Sequence, residues 1–199
     1  MSRSLSDIGT ALCLAIEPTG AGFHPGAVHE HPLVLAETWI ELSTARPLDP
    51  ATVRRVRTTD LLGTKRRTAR MRAQAVAEGD DPTAAIVLVD LEVIIAEDVS
   101  SARRALERLD ALVETPPSPT TLRYIGTPAG LAGLISDIHA AQVADGVVLL
   151  PLANAEILAL IASTTLPVLA AAGASTDARP LTVLLESLIE HPDGEIPAH

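Results

Sequence analysis

Four groups of residues in this chain have the types and spacing to do chemistry. His24, His29 and His31 stand close together with Glu30 among them, and imidazoles at that spacing are able to converge on a metal ion. Pro25 and Pro32 stiffen the backbone beside them, however, and histidines in such a row read as solvated loop residues, so no metal site is expected. Cys13 is the only cysteine, which excludes an intramolecular disulfide framework and a cysteine zinc knuckle. Its place inside an apolar run makes it a small buried hydrophobe and not a nucleophile. Gly126-Thr127-Pro128 puts a glycine at the end of a strand and Thr-Pro at the start of a helix. Backbone N–H groups at such a turn point to the C-terminal edge of a sheet, where anions and ligands bind. The fourth group is a charge run. From Arg54 to Arg72 there are eight basic residues (Arg54, Arg55, Arg57, Lys65, Arg66, Arg67, Arg70 and Arg72) against one acid, Asp60, while the other 180 residues carry a net charge of −17. Such a run reads first as a solvated helix face and second as a docking surface for an acidic partner or a phosphate-bearing ligand. No Gly-x-Ser-x-Gly elbow, Walker loop or Gly-x-Gly-x-x-Gly turn occurs, which removes the common hydrolase, NTPase and dinucleotide readings.

These residues need a scaffold, and the pattern supplies strands alternating with helices. Ile86 to Ile95 is a β-branched run broken only by Asp90 and Glu92 and reads as a buried parallel strand. Thr10 to Ile16, Gly146 to Leu150 and the short Leu122 to Ile125 read as further strands. Ser100 or Ser101 is the expected cap of a helix over Ala102 to Val113, with Ala102, Ala105, Leu106, Leu109 and Val113 on one face. Thr127 caps a second helix that opens on Pro128 and buries Leu131, Leu134, Ile135 and Ile138. Helices are also expected over Leu33 to Thr44, Leu62 to Glu78, Asn154 to Ser163 and Leu181 to Glu190. Alternation of this kind predicts an α/β fold with a mostly parallel sheet and right-handed crossover helices. Glu114 to Thr121 holds three prolines and reads as a surface connection. The expected partition is one domain over 1–190 and a loose tail over 191–199.

Composition bounds the function. Phe23, Trp39 and Tyr124 are the whole aromatic set and the net charge is −10, so an aromatic stacking platform and duplex binding are both disfavoured, and no nucleic-acid partner is expected. No apolar run reaches the length of a membrane span and no secretory leader is read at the start, which predicts a cytoplasmic protein with no membrane partner.

Three stretches resemble luciferase-like flavin-dependent monooxygenases, in their nitrilotriacetate and alkane monooxygenase branch. Gly126-Thr-Pro-Ala-Gly-Leu-Ala-Gly-Leu-Ile-Ser-Asp137 followed by Ala144-Asp-Gly-Val-Val-Leu-Leu-Pro151 is similar to the family's Gly-Thr-Pro helix start and final Ala-Asp-Gly-Phe-type strand, and Leu166-Pro-Val-Leu169 to a later segment. Gly79-Asp-Asp-Pro82, the strand Ile86 to Ile95 and Ala96-Glu-Asp-Val-Ser-Ser-Ala102 resemble a second run of Gly-Arg-Asp-Pro, strand and helix start. Leu14 to Pro25 is similar to the first barrel strand and its glycine-rich loop containing His-Pro.

The resemblance implies a partial TIM-like (β/α) barrel from which several middle strands are missing, since 199 residues are too few for a full barrel of about 250. It implies FMN as cofactor, with Gly126, Thr127 and His24 as the positions that would approach it; no residue matches a catalytic position. The family's phosphate turn, Gly-Ala-Ser-x-x-Gly, is absent where it belongs, and Ala172-Gly-Ala-Ser175 comes too late to replace it. The expected function is therefore a reduced, non-catalytic member, acting as a partner subunit or as a binder of flavin or another small ligand. The alternative is an active FMN-dependent monooxygenase, an oxidoreductase completed by homodimerisation and supplied by a separate flavin reductase. Strands one, seven and eight of such a barrel are neighbours, and a sector cut from it has two open edges and an apolar inward face. The Leu33 to Arg57 segment, a second copy of the chain in a homo-oligomer, or a full-length family partner is expected to cover them.

Overall fold

The computed structural model describes residues 11–18, 26, 39–48, 53–79, 81, 85–116, 118–152 and 155–190. Six strands form one sheet: β1 (Cys13–Ile16), β2 (Ile40–Glu41), β3 (Val53–Val56), β4 (Ile86–Ile95), β5 (Leu122–Gly126) and β6 (Gly146–Pro151). Their order is β2-β1-β6-β4-β3, with every contact parallel except the antiparallel pairing of β2 with β1. β5 also pairs with β4, in parallel. Because β6 holds one edge of β4 along Leu88–Val93, β3 and β5 share the other, β3 along Ile86–Val89 and β5 along Leu91–Ile95.

Ten consecutive buried residues make β4 the spine of this sheet, and only a strand covered on both faces tolerates such a run. The adjacent order β4-β6-β1 is the seven-eight-one order that the barrel resemblance implies. No closed barrel forms among the described residues: the short β2 ends the sheet on one side and β3 with β5 on the other.

Six helices follow: α1 (Leu61–Glu78), α2 (Val99–Ala111), α3 (Pro128–Ala140), α4 (Ala155–Leu160), α5 (Leu166–Ala171) and α6 (Arg179–Glu190). A π-helical turn over Ile161–Thr165 joins α4 to α5. Its cause is Pro167, which has no N–H to donate and would crowd the preceding turn of a regular helix. The wider turn lets the Leu166 N–H reach the Ile161 carbonyl instead. Helices α3 to α6 pack Leu131, Ile135, Ile138, Ile157, Leu166, Leu169 and Leu181 onto Leu14, Ile16, Val89, Leu91, Val93, Val147 and Leu149, which is the main core.

Several expectations change. Where a helix over Leu33 to Thr44 was expected, Ile40–Glu41 is a strand, because Ile40 and Glu41 find backbone partners on the free edge of β1; 33–38 lie outside the described residues. Asp98, not Ser100 or Ser101, caps α2: one carboxylate oxygen accepts from the Ser101 N–H at 2.9 Å and the other from its hydroxyl at 2.7 Å, so the helix begins at Val99 and ends at Ala111. β3 was not expected, since two of its four residues are arginines inside the basic run. The first strand starts at Cys13, and 191–199 lie outside the described residues.

The inward apolar face, expected to be covered by the Leu33 to Arg57 segment, a second copy or a full-length partner, is covered within the chain. Cys13, Ala15, Leu48, Val53, Ile86, Leu88, Val148 and Leu150 are at most 9% exposed within one chain, with Trp39 packed against them. The segment before Arg57 thus supplies β2, β3, Trp39 and Leu48, and association is no longer needed to hide this face.

Candidate functional site

Alternation along β4 sends successive side chains to opposite faces of the sheet. Val89, Leu91, Val93 and Ile95 enter the main core. Ile86, Leu88, Asp90, Glu92 and Ile94 point the other way, where Ile86 and Leu88 join one apolar cluster and Ile94 joins a second beneath Ala102 and Leu109 of α2. Asp90 and Glu92 occupy the gap between these clusters, and both are fully buried.

Register brings their partners. Arg55 of β3 pairs with Leu88 and shares its face, Arg57 follows as β3 ends, and Arg123 of β5 lies directly beside Glu92. The Asp90 carboxylate accepts from Arg55 Nε and from Arg57 Nε, each at 2.7 Å. Arg55 then reaches with both terminal nitrogens to the Glu17 carboxylate just beyond β1, and its guanidinium lies over the Trp39 ring at 5.9 Å. Arg123 Nε donates to Glu92 Oε2 at 2.6 Å, while Glu92 Oε1 has no partner. Burial opposes the charge on Arg55, yet its hydrogen bonds to Asp90 and Glu17 prevail and hold its pKa above the ordinary arginine value. Three carboxylates and three guanidiniums thus neutralise one another where β1 and β3 end, the C-terminal region in which parallel α/β sheets hold their ligands.

The Gly126–Thr127 turn lies apart from this cluster. Tyr124, aligned with Val93, packs on the main core side and not on the side of Asp90 and Glu92. Thr127 caps α3 as expected, its hydroxyl accepting from the Gly130 N–H at 3.2 Å, and Pro128 brings no N–H of its own. Tyr124 donates its hydroxyl to the Thr127 carbonyl at 3.1 Å and lies across the turn. A Cβ at Gly126 would meet the phenol oxygen at 2.6 Å and one at Gly130 at 2.1 Å, so both glycines make room for this ring.

Cys13 is buried, and burial together with the nearby Asp145 carboxylate pushes its pKa to about 11, the behaviour of an inert thiol. His24, His29, Glu30 and His31 lie outside the described residues. Among the described residues, no cluster of three or more His, Cys, Asp or Glu has the arrangement to hold a metal, and no helix is long and apolar enough to cross a membrane. Sequence reasoning noted Asp90 and Glu92 only as breaks in a strand and placed Arg55 and Arg57 in a solvated run. The available signal was the matching period of two: acids at 90 and 92 in an otherwise apolar strand, arginines at 55 and 57 in another.

No protein-family model and no curated protein matches the chain. Solved structures do. EDTA monooxygenase from Chelativorans sp. BNC1 superposes with a TM-score of 0.55 at 16% identity, over 65% of this chain and 43% of that one. Riboflavin lyase, solved with modified FMN and its substrate riboflavin, gives 0.54 at 18% identity, over 67% and 42%. A long-chain alkane monooxygenase gives 0.54 at 13% identity, over 73% and 42%. The fold of the described residues, a mostly parallel sheet with helices and no closed barrel, is similar to part of the fold of these luciferase-family structures. The chain spans less than half the length of those structures.

Proposed function

We propose that this protein is a reduced member of the luciferase-like flavin monooxygenase group that performs no monooxygenation alone and serves as a partner subunit, to a full-length relative or to another copy of itself. The observation that carries this reading is the buried charge pairing on one face of β4: Glu17, Arg55, Asp90 and Arg57 form one ion-pair network, and Glu92 with Arg123 a separate pair beside it. A catalytic cavity keeps polar groups free to meet a substrate or cofactor. Here Asp90 is saturated by two arginines and Arg55 by two carboxylates, so the network serves as a polar core.

The Gly126–Thr127 turn offers a flavin phosphate few free donors. Pro128 has no N–H, the Gly130 N–H is held by Thr127, and the Tyr124 ring lies over the turn. A second reading, a binder of flavin or another small ligand, is favoured by one atom: Glu92 Oε1 is a buried acceptor with no partner, and a ligand N–H or O–H would satisfy it.

Flavin titration separates the readings. The purified chain is expected to be colourless, to leave FMN fluorescence unquenched at micromolar concentration, and to add no oxygen consumption to a flavin reductase turning over FMN. Stoichiometric flavin binding that Glu92→Gln weakens would establish the binder. Binding accompanied by oxygen consumption and substrate oxidation would instead establish an active FMN-dependent monooxygenase completed by homodimerisation, and would overturn the non-catalytic reading.

A further inference from the structure

Glu92 sits where three strands meet on the charged face of the sheet. Leu150 of β6 stands beside it on one side and Arg123 of β5 on the other, while Ile94, two residues further along β4, joins the cluster beneath α2. The Glu92 side chain has no exposure, and that of Arg123 keeps only 10%. A carboxylate and a guanidinium lying side by side commonly form two parallel bonds, one from Nε and one from a terminal nitrogen. Here only one of the two forms. Arg123 Nε donates to Glu92 Oε2 at 2.6 Å, the terminal nitrogens of Arg123 donate to no acceptor among the described residues, and Glu92 Oε1 accepts from no donor. One residue pair thus leaves a buried acceptor and nearly buried donors open, in an interior of the kind that rarely leaves either unsatisfied. Unused polar capacity continues next to it. Thr121, buried directly before β5 where the register runs on to Asp90, has a hydroxyl oxygen without a partner.

The open groups set the chemistry of what fits. Glu17, Asp90 and Glu92 are balanced by Arg55, Arg57 and Arg123, so a charged ligand would bring an uncompensated charge into the interior, whereas a neutral one would not. It must donate to Glu92 Oε1 and accept from Arg123. A planar amide edge, with N–H and C=O side by side, does both in one plane; an ester or ketone lacks the donor, and an alcohol has one oxygen for both tasks. Leu150 and Ile94 supply apolar flanks of the kind that hold a small ring. We propose that Glu92 and Arg123 form a binding site for a small neutral molecule with an amide edge, a lactam, imide or cyclic ureide, whose N–H meets Glu92 Oε1 and whose carbonyl meets the Arg123 guanidinium. This inference rests on the reading of the chain as a binder of a small ligand, and it states what that ligand must carry.

Uracil, a cyclic ureide, is the probe, and 1,3-dimethyluracil, which keeps both carbonyls and loses both N–H groups, is its control. In 1H–15N spectra of the intact chain, uracil should shift the Arg123 Nε–H resonance saturably, with a dissociation constant of about 1 mM. The dimethyl analogue should bind at least about tenfold more weakly, because it leaves the buried Glu92 oxygen unpaired. Glu92→Gln presents an amide in place of the carboxylate and should weaken uracil binding by about tenfold or more, with circular dichroism confirming that the variant folds. The comparison of the two probes on the unaltered chain decides the matter even where that variant does not fold. No shift of the Arg123 resonance by uracil at about tenfold the expected dissociation constant overturns the proposal. Equal binding of the two probes, or uracil binding that Glu92→Gln leaves unchanged, also overturns it while keeping the chain a small-ligand binder through another site. The FMN titration tests the wider reading separately: FMN binding that Glu92→Gln does not alter would keep the binder and remove Glu92 and Arg123 from its site.

Discussion

On one face of β4, Val89, Leu91, Val93 and Ile95 meet the apolar side chains of α3 to α6; on the other, Asp90 and Glu92 occupy the centre and draw Arg55, Arg57, Arg123 and Glu17 around them. Both faces are buried, and the difference lies in what holds them. The apolar face gains from area removed from water and accepts any arrangement that fills space. The charged face gains little net energy from its pairs, since desolvation offsets most of the attraction, but it penalises any rearrangement that separates a carboxylate from its guanidinium. In a sheet whose described strands do not close into a barrel, that penalty fixes which strands lie beside β4: Arg55 and Arg57 tie down β3, and Arg123 ties down β5.

The contrast predicts its largest effect at Asp90. Asp90→Ala leaves Arg55 only partly hydrated and should cost about 4 kcal/mol, read by chemical denaturation; Arg57, half exposed, can turn to water and adds little. Asp90→Leu with Arg55→Met removes both charges and should recover more than half of that loss. A cost below about 1 kcal/mol for Asp90→Ala would mean that the network does not hold the sheet. On the apolar face, Leu91→Ala should cost about 3 kcal/mol through lost transfer energy and an incompletely collapsed cavity. That loss should be the same at low and high salt, and salt dependence equal to that of Asp90→Ala would erase the distinction between the faces.

The same contrast explains what was legible in the sequence. The apolar face announces itself: ten buried residues in β4 and the periodic leucines and isoleucines of α3 are local patterns, and the order β4-β6-β1 follows from a resemblance carried by contiguous motifs. The charged face is a set of long-range pairs. Asp90 lies 35 residues from Arg55, and Glu92 lies 31 from Arg123, so no local window contains both partners. β3 was hidden for that reason: Val53–Val56 is a strand because Arg55 is neutralised by Asp90 and Glu17, a fact its neighbours in sequence do not carry. β2 was hidden because two residues acquire a strand conformation only by pairing with β1.

Cys13 tests the apolar part of the second face by pH. Its pKa rises from an ordinary 9.0 to about 11, so between those values the unfolded chain releases a proton that the folded chain keeps. Stability is therefore full below pH 9 and falls as the pH climbs, by about 2 kcal/mol at pH 11. Cys13→Ala should show a smaller loss of melting temperature between pH 8.5 and 10.5 than the parent protein. An equal loss in both would show that the thiol is not shielded there.

The smallest effect belongs to the Gly126–Thr127 turn, where both faces meet the C-terminal end of β5. Thr127 contributes one hydrogen bond, to the Gly130 N–H, in a helix otherwise fixed by Leu131, Ile135 and Ile138 in the core. Thr127→Ala should cost about 1 kcal/mol, the usual value of an N-cap, and Thr127→Ser should restore it. Because Tyr124 lies over Gly126 and Gly130 and spends its hydroxyl on the Thr127 carbonyl, the turn is a structural joint in this reading. The melting temperature of Thr127→Ala should fall while any measurable affinity for FMN or for a second copy stays as it was. A fall in affinity matched by no further fall in stability would return the turn to the ligand site and place the functional centre of the protein at the end of β5, away from the ion-pair network.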